Sequence, residues 1–139
     1  MTTSDAKFLI IDSKATRRHS IQNLFFAINF EARDIEGVTS SDKALQLVGE
    51  KTYIAAFIST AEAYDWIELI KTIRIDLDFN TLPIIVLSEN PTRDKVLDAY
   101  DAGCNGFLKY PCSETDIEKV IAIIETSPKD SNKNKRITV

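Results

Sequence analysis

No G-x-G-x-x-G and no G-K-[ST] stretch occurs in this chain, so nucleotide binding through a glycine-rich loop has no support. Histidine is almost absent: His19 stands alone, mid-helix by the pattern around it, and reads as a partly exposed surface residue rather than a base. The two cysteines, Cys104 and Cys112, have neither the C-x-x-C spacing of a zinc site nor the density of a disulfide scaffold, and read as small buried hydrophobes. A hydrolase built on Ser59, His19 and Asp12 fails as well, because no G-x-S-x-G elbow surrounds Ser59 and His19 does not lie at a strand end. No run of about 18 apolar residues exists, and the opening MTTSDAK is polar; the expectation is a cytoplasmic protein without membrane contact.

Net charge is −4 over 139 residues, but it is unevenly spread. In residues 127–139, SPKDSNKNKRITV, four basic residues against Asp130 give +3, which leaves −7 on the rest. An acidic body disfavours nucleic acid, and this basic stretch reads as a flexible solvated tail or linker. A hydrophobic share of 44% and a charged share of 27% suit one globular domain, placed at residues 1–126.

What is present is an alternation. KFLIID (7–12) is a β-branched apolar run suited to a parallel strand, and Ile21, Leu24, Phe25 and Ile28 then recur at helical spacing, with Arg17, Arg18 and Gln22 on the wet side. FEARDIE reads as a weak second strand, and Thr39 to Asp42 as the start of a second helix with Ala44, Leu45 and Val48 inward. YIAAFIS is a third strand, and DWIELIKTIR a helix with Trp66, Ile67, Ile70 and Ile73 on its stripe. LPIIVLS is the fourth strand, followed by a helix that Asn90 caps, with Pro91 in its first turn and Gly103 at its end. GFLKYP is the fifth, and Ser113 to Asp116 caps a last helix carrying Ile117, Val120, Ile121 and Ile124. Five strands alternating with five helices predict an α/β doubly wound parallel sheet, whose functional crevice lies beyond the carboxyl ends of the strands. Those ends are Asp12, Ser59, Ser88 and Tyr110.

From about Lys7 to Glu125, the order of FLIID with a basic helix, IELIKTIR, LPIIVLS and DAGCNGFLKYP resembles the receiver domain of two-component response regulators, in the manner of the single-domain chemotaxis regulator. The resemblance implies a flavodoxin-like (βα)5 fold with strand order 2-1-3-4-5. It also implies an acidic pair after the first strand, a phosphoacceptor aspartate after the third, a Thr or Ser after the fourth and a Lys-Pro after the fifth. Clustered carboxylates would hold Mg²⁺, the aspartate would attack a phosphoryl group, and the lysine would pair with the product's charge. Carried onto this chain, the acidic pair becomes Asp12 and Ser13, the acceptor Ser59, the hydroxyl Ser88 and the lysine Tyr110. The loop after the third strand is one residue short, and neither neighbour of Ser59, Ile58 or Thr60, is an aspartate. Lys109 is displaced by one, and in a strand one residue turns a side chain to the opposite face. A cis Tyr110–Pro111 bond is also implied.

The expectation is therefore a pseudo-receiver: no enzyme, no cofactor, no metal, and signalling by binding a protein through the fourth helix, fifth strand and fifth helix. Val96, Tyr100, Phe107 and Lys109 form that face, with a homodimer as one form of its use. Two alternatives stay open. The vacated crevice of Asp12, Ser13, Ser59, Ser88 and Tyr110 could sense a small molecule, or Glu62 or Asp65 could serve as an atypical acceptor.

Overall fold

The computed structural model describes residues 6–77 and 81–126. The expected tail at 127–139 lies outside them. Five strands, β1 (Lys7–Ile11), β2 (Ile35–Val38), β3 (Tyr53–Ser59), β4 (Ile84–Ser88) and β5 (Gly106–Lys109), pair in parallel in the order β2-β1-β3-β4-β5. The five helices are α1 (Ala15–Ala27), α2 (Ser41–Glu50), α3 (Trp66–Lys71), α4 (Arg93–Ala102) and α5 (Glu114–Thr126). This is the flavodoxin-like doubly wound sheet, with helices on both faces.

Alternation along the strands builds two cores. Leu9, Ile11, Ala56, Ile58, Ile84 and Val86 pack with α2, α3 and α4 on one face. Phe8, Ile10, Ala55, Phe57, Ile85 and Leu108 pack with α1 and α5 on the other. The second core is aromatic: Phe25 meets Phe57 edge to face at 5.4 Å, and Phe8 and Phe30 join them, each such pair adding about 0.5–1.5 kcal/mol beyond its area. Trp66 opens α3, half-buried against the first core. Cys104 is buried, Cys112 half-buried, and both are free thiols; His19 is exposed.

Four element boundaries depart from expectation, each for a local reason. Residues 30–34 of FEARDIE are not strand: Ala32–Asp34 form a 3₁₀ turn, closed by the Glu31 N–H donating to Asp34 at 2.8 Å, and the strand begins at Ile35. Ser40, rather than Thr39, caps α2 by accepting from Lys43 N. Thr92, rather than Asn90, caps α4 by accepting from Lys95 N at 3.1 Å, which leaves Pro91 in the loop. The third helix loosens after Lys71 into a π-helical turn, Thr72–Asp76. The cap of α5 is as read, with Ser113 and Asp116 bonding each other's backbone N–H.

At the amino end of the sheet, Arg74 donates from Nε to the Gly103 carbonyl at 2.9 Å and from Nη2 to Asn105 Oδ1 at 2.8 Å. The same Asn105 oxygen accepts from Ile84 N at 2.9 Å. Gly103 ends α4 at φ +121°, and a Cβ there would also fall 2.8 Å from Arg74 Cγ, so glycine is required twice over. Among the described residues, no helix is long and apolar enough to cross a membrane.

Candidate functional site

The strands hand their last residues to the crevice through one further backbone bond each. Asp12 N donates to Val38 O, Thr60 N to Leu87 O and Tyr110 N to Ser88 O, at 3.0, 2.9 and 2.8 Å. The residues expected to converge instead form three separate local pairs.

Asp12 is fully buried, and Arg17 grips it. The guanidinium reaches both carboxylate oxygens, with Nη2 to Oδ1 at 3.0 Å and Nε on Oδ2, while Lys14 N donates to Oδ1 at 2.9 Å. The third nitrogen, Nη1, bonds Glu89 beyond β4. Arg17 thus ties the carboxyl end of β1 to that of β4 and is not on the wet side, as helical spacing predicts. A long side chain one turn into α1 folds back because a buried carboxylate attracts it. The hydrogen bond to Asp12 raises the Arg17 pKa further, against the opposing effect of burial. Arg18 caps the arrangement by donating to the Asp12 carbonyl at 2.9 Å.

Ser59 is 2% exposed, and its hydroxyl lies 2.9 Å from the Tyr64 phenol. That phenol is also 2.8 Å from Ile11 O and 2.9 Å from Ser59 O. With one proton it donates to one carbonyl at a time, and the serine hydroxyl donates to it. The ring of Tyr64 therefore closes the floor between β1 and β3. Burial, more than any other cause, pushes the Tyr64 pKa up. Ser88, also buried, accepts from Thr60 Oγ1 at 3.0 Å.

Above this floor lies an open crevice of about 520 Å³. Ser13 and Tyr110 line it, with Lys14, Arg17, Thr60 and Glu62. Asp12, Ser59 and Ser88 are not among its lining residues: each is buried and bonded to a neighbour, Arg17, Tyr64 and Thr60 respectively, of which Arg17 and Thr60 themselves face the crevice. Tyr110 stands in the wall, with the Arg17 guanidinium 6.0 Å from its ring centre, while Lys109 is exposed. The Tyr110–Pro111 bond is cis. Of the two loop acids, Asp65 caps α3 by accepting from Glu68 N at 3.0 Å, and Glu62 is exposed at the crevice mouth.

Magnesium asks for near-octahedral oxygen coordination, commonly through one or two carboxylates. Here the one buried carboxylate among the described residues, Asp12, has both oxygens engaged by Arg17 and Lys14 N. Among the described residues, no group of three or more His, Cys, Asp or Glu could hold a metal ion. The donor set does not fit such a site.

On the expected interaction face, Tyr100 and Phe107 rest half-buried on the first core, Val96 is half-buried and Lys109 exposed. Sequence reading missed Arg17, Tyr64, Glu89 and Thr60 as parts of the site. It also missed Leu97, which stands 45% exposed on α4.

No protein-family model matches the chain. It is 30% identical over 131 residues to the chemotaxis protein CheY-3 of Vibrio cholerae, covering 86% of this chain and 92% of that protein. With the chemotaxis protein CheY of Pseudomonas aeruginosa it shares 29% over 129 residues, covering 86% and 96%. Among solved structures, the receiver domain of a sensor histidine kinase from Pseudomonas aeruginosa, with magnesium in its active-site cleft, superimposes with a TM-score of 0.76 at 16% identity, covering 89% of this chain and all of that one. The chemotaxis response regulator CheY4 of Vibrio cholerae gives 0.73 at 17% identity, covering 87% and 99%.

Proposed function

The chain belongs to the family of CheY-like response-regulator receiver domains, and on that premise we propose that it is a pseudo-receiver, an interaction module whose state is not set by phosphorylation. Receivers serve two-component signalling by engaging protein partners. The observation that carries the finer reading is the floor of the crevice. Ser59, at the acceptor position, is buried with its hydroxyl on Tyr64, and Asp12, the one acid left of three, is neutralised by Arg17. A hydroxyl held in this way is no substitute for an exposed carboxylate nucleophile, and Arg17 supplies from within the chain the positive charge that Asp12 requires.

A phosphoryl group shifts a receiver only by binding its two states unequally. Without one, a single state dominates, and the face of Val96, Tyr100, Phe107 and Lys109 is ready at rest, for a partner or a second copy. Tyr100→Ala is expected to weaken that association by about 1–2 kcal/mol, read by sedimentation and partner binding. Treatment with acetyl phosphate and Mg²⁺ followed by mass spectrometry tests the main claim. The expected result is no adduct; one phosphate on Ser59, Glu62 or Asp65 would overturn it. The crevice of about 520 Å³ favours a second reading, small-molecule sensing by a wall that includes Ser13 and Tyr110. A thermal-shift screen separates the two, since a ligand at 100 times its Kd adds about 2.7 kcal/mol.

A further inference from the structure

The guanidinium of Arg17 holds two carboxylates of unlike standing. Asp12 is fully buried and takes the edge formed by Nε and Nη2, and a buried carboxylate is costly to leave unpaired. Glu89 is 51% exposed and is held by one oxygen, Oε1 on Nη1. Water competes for such a pair and salt screens it, so its net contribution is small. The first contact is permanent and the second is exchangeable.

The exchangeable contact faces the crevice. Arg17 and Glu89 both line it, and Arg17 is itself only 13% exposed, its orientation fixed by Asp12. Of the five guanidinium N–H groups, three are spent on Asp12 and Glu89, which leaves one on each of Nη1 and Nη2. A carboxylate that uses both oxygens fits that fork better than Glu89, which uses one. Lys14 lines the same crevice, and its ammonium has no ion-pair partner among the described residues. Lys95 lines it as well and donates to the Asn90 carbonyl at 3.1 Å. The crevice thus already holds a carboxylate, its own, on a pre-set arginine with further cations around it.

We propose that the crevice is a seat for a small organic carboxylate, which takes the place of Glu89 on Arg17 and which Glu89 keeps out at rest. This deepens the small-molecule reading of the crevice and rests on it. Glu89 also begins the loop into α4, where Thr92 is the cap and Lys95 stands in the first turn. Arg17 clasps that loop at Glu89, and Lys95 clasps it at Asn90. A bound carboxylate removes the first clasp and leaves the second, so occupancy of the seat is felt at the start of α4.

The test titrates the full chain, ¹⁵N-labelled, with sodium succinate and with sodium acetate, the ionic strength being held constant with sodium chloride. Succinate is expected to move the amide signals of Glu89, Asn90 and Lys95 and the Arg17 Nε–H signal to saturation, and to bind more tightly than acetate because Lys14 can take the second carboxylate. Glu89→Gln should bind succinate about threefold more tightly, the scale of an exposed ion pair given up, and Lys14→Gln about threefold less tightly. Neither substitution touches the buried bond between Arg17 and Asp12, and urea denaturation checks that both variants fold. Equal affinity in the wild type and Glu89→Gln would overturn the proposal, as would shifts that sodium chloride alone reproduces. Saturable binding of ethanolamine at Ser13, Thr60 and Tyr110, with Glu89 and Arg17 unmoved by succinate, would overturn it and leave the small-molecule reading standing. A crevice silent to all three compounds would overturn both.

Discussion

At the carboxyl end of the sheet Arg17 meets carboxylates, Asp12 and Glu89, whereas at the amino end the oxygens that Arg74 meets at Gly103 and Asn105 are neutral. The pKa of Arg17 is raised by its partner; that of Arg74 is lowered, first by burial. The difference separates two uses of one residue type. Arg74 closes a joint between the π-helical turn after α3, the end of α4 and the residue before β5, through one backbone and one side-chain oxygen. Arg17 neutralises a charge that would otherwise need help from outside the chain, and does so in the wall of an open crevice.

Breaking the charged end should cost most. Arg17→Met leaves Asp12 buried and unpaired, and an expected loss of about 3 kcal/mol can be measured by urea denaturation. If the loss is smaller than that of the next variant, water reaches Asp12 and the contrast between the ends dissolves. Asn105→Ala removes the acceptor shared by Arg74 and Ile84 N, for about 2 kcal/mol. Tyr64→Phe keeps the ring on the crevice floor and removes its hydroxyl, for about 1 kcal/mol.

The same variant sharpens the contrast through pH. The folded-state pKa of Tyr64 lies above its ordinary value of 10.0, so its contribution to stability is whole below pH 10 and declines as pH rises beyond it. Tyr53, raised by burial and then by its bond to Glu36, acts in the same sense at the amino end. Denaturation midpoints should therefore fall above pH 10, less steeply in Tyr64→Phe, with Tyr53 and the Cys112 thiol, which burial pushes up to about 11, contributing to what remains.

The strand-and-helix alternation was legible because burial on both faces makes runs such as FLII and PIIVL nearly continuous in apolar residues, and the strand ends followed from it. The contents of the site were not. Helical spacing gives the direction in which Arg17 leaves the backbone, not where six more heavy atoms carry its charge. Tyr64 and Thr60 sit in a loop without periodicity, so nothing in their spacing marks the hydroxyls they reach. A buried acid at position 12 with an arginine five residues on was the one signal available, and it concerns a side chain's reach rather than a pattern.

Trp66, the chain's single tryptophan, opens α3 two residues after Tyr64 and is half-buried. Its indole is thus an optical reporter built into the crevice loop. Emission from the untouched protein reads the surroundings of that loop without an attached dye. A small molecule that displaced Tyr64 would shift the colour of that emission.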